Sequence, residues 1–445
     1  MSLENKIKTA LKWSVLSKVA IQLFSWVLTF WTIRILTPDD YGLFALAMLI
    51  ISFFYLINEF GLGPAIVVEE DLTEEKIRSA AGLIITINLV ISLIVFFSAP
   101  LIAVLLEDQR VELVIQIISI QFIIGGFSVV PRALLVRRLD FKRKELIFFF
   151  RNLTAGVSTL VLAILGYGIW ALVWGNLAAL VISAVLLNLS EFHIPSFDFK
   201  KVKPMIKFGT NILVQRTVWW LYLEADIFII NRVLSTTLVG SYYTAKSLAA
   251  MPGDKIGQLV NEIIFAGFSK IRDNKPLVTQ SLTRGIKMIS IIMFPVYFGI
   301  SSVSSELVHV LLGEKWLESI LPLQILCIVF AFRIISVPFS EVLNALNHSK
   351  IAAQNTIIIS VIVIASLVTG SNWGILGVCI AWGIGYMIAF NIVTHRGARY
   401  TGIGIRALIK ILSRPLLCSC LMYAVYILYV YNYQLTCFSF INCLF

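Results

Sequence analysis

Apolar stretches long enough to span a bilayer recur along the whole chain, separated by short polar segments. Within each stretch the apolar positions are nearly continuous rather than alternating, which predicts membrane-spanning helices and not the strands of a membrane barrel. We therefore predict an all-α polytopic membrane protein. The predicted helices lie at 13–35, 41–66, 80–106, 112–136, 145–165, 169–190, 207–231, 236–268, 281–312, 318–346, 350–370, 373–394 and 405–431, and the apolar stretch at 433–445 is interpreted as a truncated fourteenth helix.

The first predicted helix carries one line of polar residues in an otherwise apolar sequence. Their spacing of three or four positions places them on a single helical face. Because a polar group that faces hydrocarbon costs free energy, we expect this face to line an internal cavity. The residues on it are Ser14, Lys18, Gln22, Ser25, Thr29 and Thr32.

Four short motifs recur in the same order in the two halves of the chain, which indicates an internal duplication. The repeated unit has an even number of helices, so both copies enter the membrane from the same side and are expected to be related by a pseudo-two-fold axis along the membrane normal. We predict a six-helix lobe at 1–193, a cytoplasmic linker at 194–206, a second six-helix lobe at 207–397, and an extra helix 13 with the truncated helix 14 at 398–445. The motif pairs are RILTPDDYG from Arg34 with RVLSTTLVG from Arg232, LLED from Leu105 with LLGE from Leu311, Val130-Pro131 with Val337-Pro338, and Tyr167-Gly168-Ile169 with Trp373-Gly374-Ile375.

The composition and the charge distribution agree with a polytopic membrane protein. Hydrophobic residues make up 59% of the chain and charged residues 14%, against roughly a quarter charged in a soluble domain. Although the net charge is +11, Lys and Arg concentrate in the loops on the side of the N-terminus, so a cytoplasmic N-terminus is predicted rather than a nucleic-acid surface. The loops are too short to fold as domains, and the six cysteines lack metal-ligand spacing, so neither a metal nor a cofactor is predicted.

Basic residues inside the predicted helices are candidates for substrate binding. A cation at this depth is expected to face a partner or a water-filled cavity, although one near a helix end can also reach the headgroups. Lys18 and Arg216 lie 198 positions apart, and therefore at the same depth of the first helix of each repeat. Arg132 and Lys255 are interpreted as interfacial, and the candidates are Lys18, Arg151, Arg216, Lys246 and Arg333.

Three acidic residues inside the predicted helices have two alternative interpretations. Glu59 precedes the glycine-rich segment FGLGP, whereas Glu224 and Asp226 lie together in the seventh helix. They are either internal ion-pair partners of Arg333 or Lys246, or sites for a proton or sodium ion that couples transport to an ion gradient. The sequence leaves these alternatives open.

Several segments resemble the Wzx-type polysaccharide flippases, in particular the branch similar to the colanic acid exporter, within the multidrug/oligosaccharidyl-lipid/polysaccharide exporter superfamily. They are spread over nearly the whole chain in family order, and the incomplete fourteenth helix is the one departure. The resembling segments are KTALKWSVLSKVA from Lys8, RILTPDDYGLFAL from Arg34, FGLGPAIV from Phe60, PRALLVRRLDF from Pro131, YGIWALVWG from Tyr167, and LLGEKW from Leu311 followed by LPLQIL.

The resemblance implies a multi-pass transporter of the bacterial inner membrane that moves undecaprenyl-diphosphate-linked oligosaccharide to the periplasmic leaflet by alternating access. In that interpretation the basic residues and Gln22 bind the headgroup and its diphosphate, while the aromatic residues Trp219, Trp220 and Tyr222 stack on sugar rings. The implied partners are the lipid-linked oligosaccharide, membrane lipids, H+ or Na+, a polysaccharide polymerase and a chain-length regulator, with no nucleic acid.

Two other functions remain as alternatives. A multidrug or metabolite antiporter of the same superfamily would need an excess of buried acids for cationic substrates, whereas the predicted helices contain more candidate bases. A membrane-embedded glycosyltransferase or polymerase would need catalytic acids outside the membrane. Asp39, Asp40 and Glu314 are the conspicuous residues of that kind in the short outer loops.

Overall fold

The computed structural model describes residues 24–58, 62–69, 71–138, 140–199, 217, 220–271, 274–346 and 348–442; the side chains at 64, 68, 141, 255–267, 269–270, 349, 405 and 431–442 lie outside the description. The chain divides into two compact units, Met1–Trp220 and Leu221–Phe445. Each unit has its own buried core.

The first unit is built from antiparallel apolar helices joined by short connections. Helices α4, α6 and α8 pack in a row, α7 packs on α8, and α2 packs on α5. The helices are α1 (24–35), α2 (Pro38–Asn58), α3 (Leu62–Val68), α4 (Glu74–Leu105), α5 (Arg110–Ile118), α6 (Ile120–Arg137), α7 (Phe141–Ile164) and α8 (Ile169–Ser190).

The second unit is organised around a central helix, α13, which packs against α10, α11 and α15. Helix α14 packs on α15, and α16 packs on α11. The helices are α9 (220–231, of which Trp220 belongs to the first unit), α10 (Thr236–Ile271), α11 (Lys275–Ser302), α12 (Ser304–Leu307), α13 (Ile320–Ala345), α14 (Ser349–Gly370), α15 (Gly374–Thr401) and α16 (Ile405–Asn442).

Nine helical stretches of the described chain are long and apolar enough to cross a membrane. One of them, Lys350–Thr401, contains both α14 and α15. Together with the helical structure of the described ranges, these spans confirm the prediction of an all-α polytopic membrane protein.

Two predicted helices differ from the observed ones near their C-terminal ends. The apolar run predicted as 281–312 leaves regular α-helix at Ser302, where serine hydroxyls bond to nearby carbonyls, such as Ser304 Oγ to the Ser301 oxygen at 3.0 Å, and so compete with helical hydrogen bonds. At the C-terminus the backbone of α16 continues to Asn442. Residues 433–442 therefore belong to α16, which also contains the predicted thirteenth helix at 405–431, and do not form a separate fourteenth helix.

The predicted linker begins against the first unit. Its Ser196 N–H donates to the Arg78 carbonyl at 2.8 Å, and Arg78 Nε donates to the Ile194 carbonyl at 3.0 Å. A Cβ on Gly82 would lie 2.0 Å from the Ser196 oxygen, so only glycine allows this approach to α4. The compact units meet in sequence at Trp220 and Leu221, and the lobe and linker bounds given by the sequence stay a prediction.

The backbone carries the duplication that the motifs predict. Gly168 lies directly before α8 with φ 53° and Gly374 is the first residue of α15 with φ 67°, and both conformations favour glycine. The members of another motif pair, Glu107 and Gly313, also both have positive φ. The corresponding turns in the two units thus share an unusual backbone conformation as well as sequence.

Glycines let α14 and α15 approach each other closely. A Cβ on Gly377 would lie 2.1 Å from the Gly370 oxygen, and one on Gly385 would lie 2.4 Å from Ser366 Oγ. Small residues at helix contacts are the usual means of close packing in membranes. This contact holds α15 against its neighbours and so fixes the position of Trp382, which α15 carries.

Candidate functional site

A buried carboxylate, Asp226 on α9, lies at the centre of the polar residues of the second unit. Its Oδ1 accepts hydrogen bonds from Lys246 Nζ and from the Ile227 N–H, both at 2.8 Å. Its Oδ2 accepts from the Tyr242 hydroxyl at 2.8 Å and from Trp382 Nε1 at 3.0 Å. The residue has no exposed surface. Donors from α9, α10 and α15 therefore all converge on one carboxyl group.

Lys246 on α10 is the cationic partner of this carboxylate. Its ammonium also donates to the Leu223 carbonyl at 2.5 Å, and 14% of its side chain is exposed. Charge-assisted hydrogen bonds of this length are the stronger kind in proteins. Lys246 and Asp226, which were predicted as a substrate-binding base and an ion-coupling acid, are thus brought together as an internal ion pair.

Arg333 occupies a different environment near the middle of α13. Its guanidinium carbon lies 4.9 Å from the centre of the Phe330 ring and 5.8 Å from that of Tyr222. Among the described residues, no carboxylate forms a salt bridge with it. Arg333 is therefore held on aromatic faces by cation–π contact, with its hydrogen-bond donors still available to an anion.

Glu224 is the second acid of this region and is partly buried. It interacts electrostatically with Lys246 and Arg333, and with Asp226, which carries the same charge. In the part of the chain that the structure describes, its carboxylate has no hydrogen-bond donor. The two predicted acids thus differ: the hydrogen-bond acceptors of Asp226 are all used, whereas Glu224 accepts no hydrogen bond from a described residue.

The aromatic residues of the second unit support the charged ones. Tyr222 is 2% exposed and lies 5.7 Å from the Trp382 ring centre, which leaves little of its surface for a sugar. Trp382 also contacts Phe330 and Tyr386, and the Tyr386 hydroxyl bonds to Ser336 Oγ at 2.8 Å. These rings fix the orientation of α13 and α15 around Arg333.

Two predicted residues lie in the first unit. Trp220 donates from Nε1 to Ser52 Oγ at 2.7 Å, and its ring lies 5.0 Å from that of Phe53, so it packs against α2. Arg151 on α7 is partly buried and interacts electrostatically with Tyr55 and Arg132. Within the described ranges it has no carboxylate partner.

The remaining predicted residues lie outside the described part of the chain. They are Lys18, Gln22, Glu59, Arg216 and Trp219.

Sequence reasoning missed Tyr242 and Trp382 as members of the site. Tyr242 lies four positions before Lys246, so their common helical face was a readable signal. The indole donor of Trp382 lies in an apolar helix and gave no such signal, because a tryptophan that only packs looks the same in sequence.

Two of the three acids considered for a glycosyltransferase, Asp39 and Asp40, have structural roles in the first unit. Asp39 accepts both Arg110 Nη1 at 2.6 Å and Arg110 Nη2 at 3.2 Å. Asp40 Oδ2 accepts from the Thr37 N–H at 2.9 Å, while Thr37 Oγ1 accepts from the Asp40 N–H at 3.2 Å, a capping box at the start of α2. No cluster of His, Cys, Asp and Glu able to hold a metal ion occurs among the described residues.

The chain is similar in sequence to known proteins of polysaccharide biosynthesis. Residues 32–321 match the model of a family described as polysaccharide biosynthesis protein. The lipopolysaccharide biosynthesis protein WzxC of Escherichia coli (strain K12) is 24% identical over 392 residues, which cover 86% of this chain and 79% of that protein. The teichuronic acid biosynthesis protein TuaB of Bacillus subtilis (strain 168) is 24% identical over 367 residues, 79% of this chain and 74% of that protein.

The fold also matches solved structures of transporters. Lipid II flippase MurJ in its inward closed conformation aligns with a TM-score of 0.74 and 15% identity, covering 94% of this chain and 99% of that one. At this identity the similarity establishes the fold alone.

Proposed function

Because this chain belongs to the polysaccharide biosynthesis protein family, we propose that it flips a lipid-diphosphate-linked oligosaccharide from the cytoplasmic to the periplasmic leaflet of a bacterial inner membrane. The lipid is undecaprenyl diphosphate in this proposal, and the product serves a surface polysaccharide such as O-antigen, capsule or exopolysaccharide. The N-terminus lies in the cytoplasm, as the distribution of basic loops predicts.

The observation that carries the proposal is the environment of Arg333. Helix α13 has 26 residues and Arg333 lies near its middle, so its Cα is about 20 Å along the axis from either end. A guanidinium at that depth that forms no salt bridge with a carboxylate of the described residues is costly unless it meets an anion or water. A diphosphate supplies several acceptor oxygens in the geometry that arginine binds best.

The contrast with Lys246 strengthens this assignment. Both residues are cations inside membrane helices, but the Lys246 charge is already neutralised at 2.8 Å by Asp226. The Arg333 guanidinium lies over two aromatic faces. Its N–H donors point outward in the guanidinium plane, so the contacts with the rings do not use them. Of these two bases, Arg333 is therefore the one available to a substrate headgroup.

The proposal also gives roles to residues that were predicted from the sequence to bind the substrate. Lys18, Gln22 and Arg216 supply further contacts to the headgroup, and Arg151 adds a cation in the first unit. Trp219 and Trp220 stack on sugars, whereas Tyr222 serves Arg333 as a platform. Alternating access of the two predicted lobes moves the headgroup while the prenyl chain stays in lipid.

Binding of undecaprenyl diphosphate to the purified protein tests this function. We expect saturable binding, and a preference of at least tenfold over undecaprenyl monophosphate, because the second phosphate adds negative charge and further acceptor oxygens for charge-assisted hydrogen bonds. The variant R333Q should reduce that preference, while R333K should keep part of it because it retains the charge without the fork.

A matched control makes the binding test decisive. The variant R414Q removes an exposed arginine of α16 and should bind like the unmodified protein. Equal binding of the diphosphate and monophosphate by the unmodified protein, or unchanged preference in R333Q, would contradict the proposal.

A further inference from the structure

The Lys246 ammonium occupies the kind of position that a monovalent metal ion takes beside a carboxylate. It contacts Asp226 Oδ1 at 2.8 Å and the Leu223 carbonyl oxygen at 2.5 Å. Carboxylate and backbone carbonyl oxygens are also the ligands that bind sodium within membrane helices. Lys246 thus holds its charge where a small cation would find suitable oxygens.

The local backbone of α9 is adapted to this arrangement. Helix geometry directs the Ile227 N–H toward the carbonyl four residues earlier, that of Leu223. Here the Ile227 N–H donates to Asp226 Oδ1 at 2.8 Å, and the ammonium donates to the Leu223 carbonyl. One carboxylate oxygen and one carbonyl oxygen of the same helix turn therefore face the cation together.

The carboxylate has no further capacity while Lys246 is present. An ionised carboxylate offers about four acceptor positions. Asp226 uses them for the ammonium, the Ile227 N–H, the Tyr242 hydroxyl and the Trp382 indole. A mobile ion could bind Asp226 only by displacing one of these donors.

Charge balance leads to the same conclusion. Among the described residues, the acids Asp226 and Glu224 on α9 have the bases Lys246 on α10 and Arg333 on α13 around them. Tyr222, Tyr242 and Cys379, whose ordinary forms are uncharged, also lie near Asp226. With both acids and both bases ionised these four groups sum to zero. Removal of the ammonium leaves one negative charge in excess, and a single monovalent cation would restore neutrality.

We propose that Lys246 is a tethered counter-ion that takes the place of a mobile monovalent cation at Asp226, so that the unmodified protein needs no sodium at this position. Lys246 then determines the ion requirement of the second unit, and the ion class that its removal would admit is Na+ or Li+. The role of this ion requirement in transport rests on the proposed function. The claim that Lys246 occupies the cation position at Asp226 does not depend on it.

Two substitutions of Lys246 distinguish the effect of removing its charge from the effect of vacating its space. The variant K246A removes the ammonium and leaves room for an ion with its water. The variant K246M removes the same charge but fills most of the same space with an unbranched apolar side chain. A sodium response in K246A that is missing in K246M would identify the vacated ammonium position as the site.

Thermal unfolding of the purified full chain in NaCl and in choline chloride of equal ionic strength is the experiment. Because an ion that binds only the folded protein stabilises it, K246A should unfold at a higher temperature in NaCl. The unmodified protein and K246M should each unfold at the same temperature in both salts. The variant K246S, which also vacates the position, is the second test and should respond like K246A.

Equal unfolding temperatures of folded K246A and K246S in the two salts would overturn the proposal. A sodium response of the unmodified protein that disappears in D226N would overturn it as well. Because unfolding is measured without any lipid-linked sugar, these outcomes are independent of whether the chain binds undecaprenyl diphosphate.

Discussion

Glu107 and Gly313 occupy the same place in a repeated motif, Glu107 two residues after α4 and Gly313 directly after the π-helical turn Val308–Leu312, and both have positive φ, at 59° and 94°. Glycine adopts this conformation freely, whereas an L-residue with a Cβ does so at a cost of about 1 to 2 kcal/mol. The first unit thus retains at Glu107 a strained position that the second unit occupies with glycine.

The variant E107G should therefore stabilise the protein. We expect the free energy of unfolding to rise by about 1 kcal/mol, because glycine removes the Cβ that opposes positive φ. The reverse change, G313A, is the matched control and should lower it by about 1 to 3 kcal/mol. No atom lies within 4 Å of a Cβ built on Gly313, so that loss would come from the backbone alone. Lower stability of E107G in chemical unfolding would contradict the assignment.

The hydrogen bond between Trp382 and Asp226 should contribute measurably to stability. The variant W382F keeps the packing of an aromatic ring but removes the Nε1 donor at 3.0 Å from Oδ2. We expect a loss of about 1.5 to 3 kcal/mol, the range for a hydrogen bond to a charged group. W373F, at a tryptophan that is 73% exposed, should change thermal unfolding little. Equal effects of the two variants would show that the indole donor is unimportant.

Two glycine-to-alanine substitutions should act in opposite directions. G377A places a Cβ about where the Gly370 oxygen already lies, at 2.1 Å, so α14 and α15 would have to separate and stability should fall by about 1 to 3 kcal/mol. G285A lies within α11 and meets no atom within 4 Å, so its higher helix propensity should stabilise by about 0.5 to 1 kcal/mol. Unfolding temperatures that shift in the same direction would refute the close helix contact.

The acids at the start of α2 should be unimportant for the chemistry of polysaccharide synthesis. D39N weakens an exposed pair with Arg110 and should cost at most about 1 kcal/mol, and D40N leaves an Asn able to accept one capping bond. Surface polysaccharide produced by cells that depend on each variant should match that of cells with the unmodified protein. Loss of polysaccharide with normal amounts of inserted protein would revive the glycosyltransferase alternative.

The sequence predicted the helices well because the lipid environment imposes one strong rule. A segment in hydrocarbon must be apolar and must satisfy its own backbone hydrogen bonds, so its length and composition are readable. The rule fails where the apolar run continues past Ser302, because the hydroxyls of Ser302 and Ser304 donate to nearby carbonyls and compete locally with helical hydrogen bonds. It also gave no indication that α16 would continue to Asn442.

The site was predictable only in part. Asp226, Lys246 and Arg333 stood out because single charges in apolar helices are costly. Their pairing was not predictable, since Asp226 and Lys246 lie on separate helices whose relative rotation depends on tertiary packing. The stacking of Arg333 on Phe330 and Tyr222 likewise depends on which face of α13 turns inward.

Translocation by the purified protein tests the central claim most directly. Proteoliposomes would carry a fluorescent sugar linked to a prenyl diphosphate, and a membrane-impermeant quencher would report how much reaches the opposite leaflet. We predict that the unmodified protein accelerates this movement over protein-free vesicles and that R333Q lowers the rate at least tenfold while R414Q does not. Movement no faster than in protein-free vesicles, or equal rates for the unmodified protein and R333Q, would contradict the account.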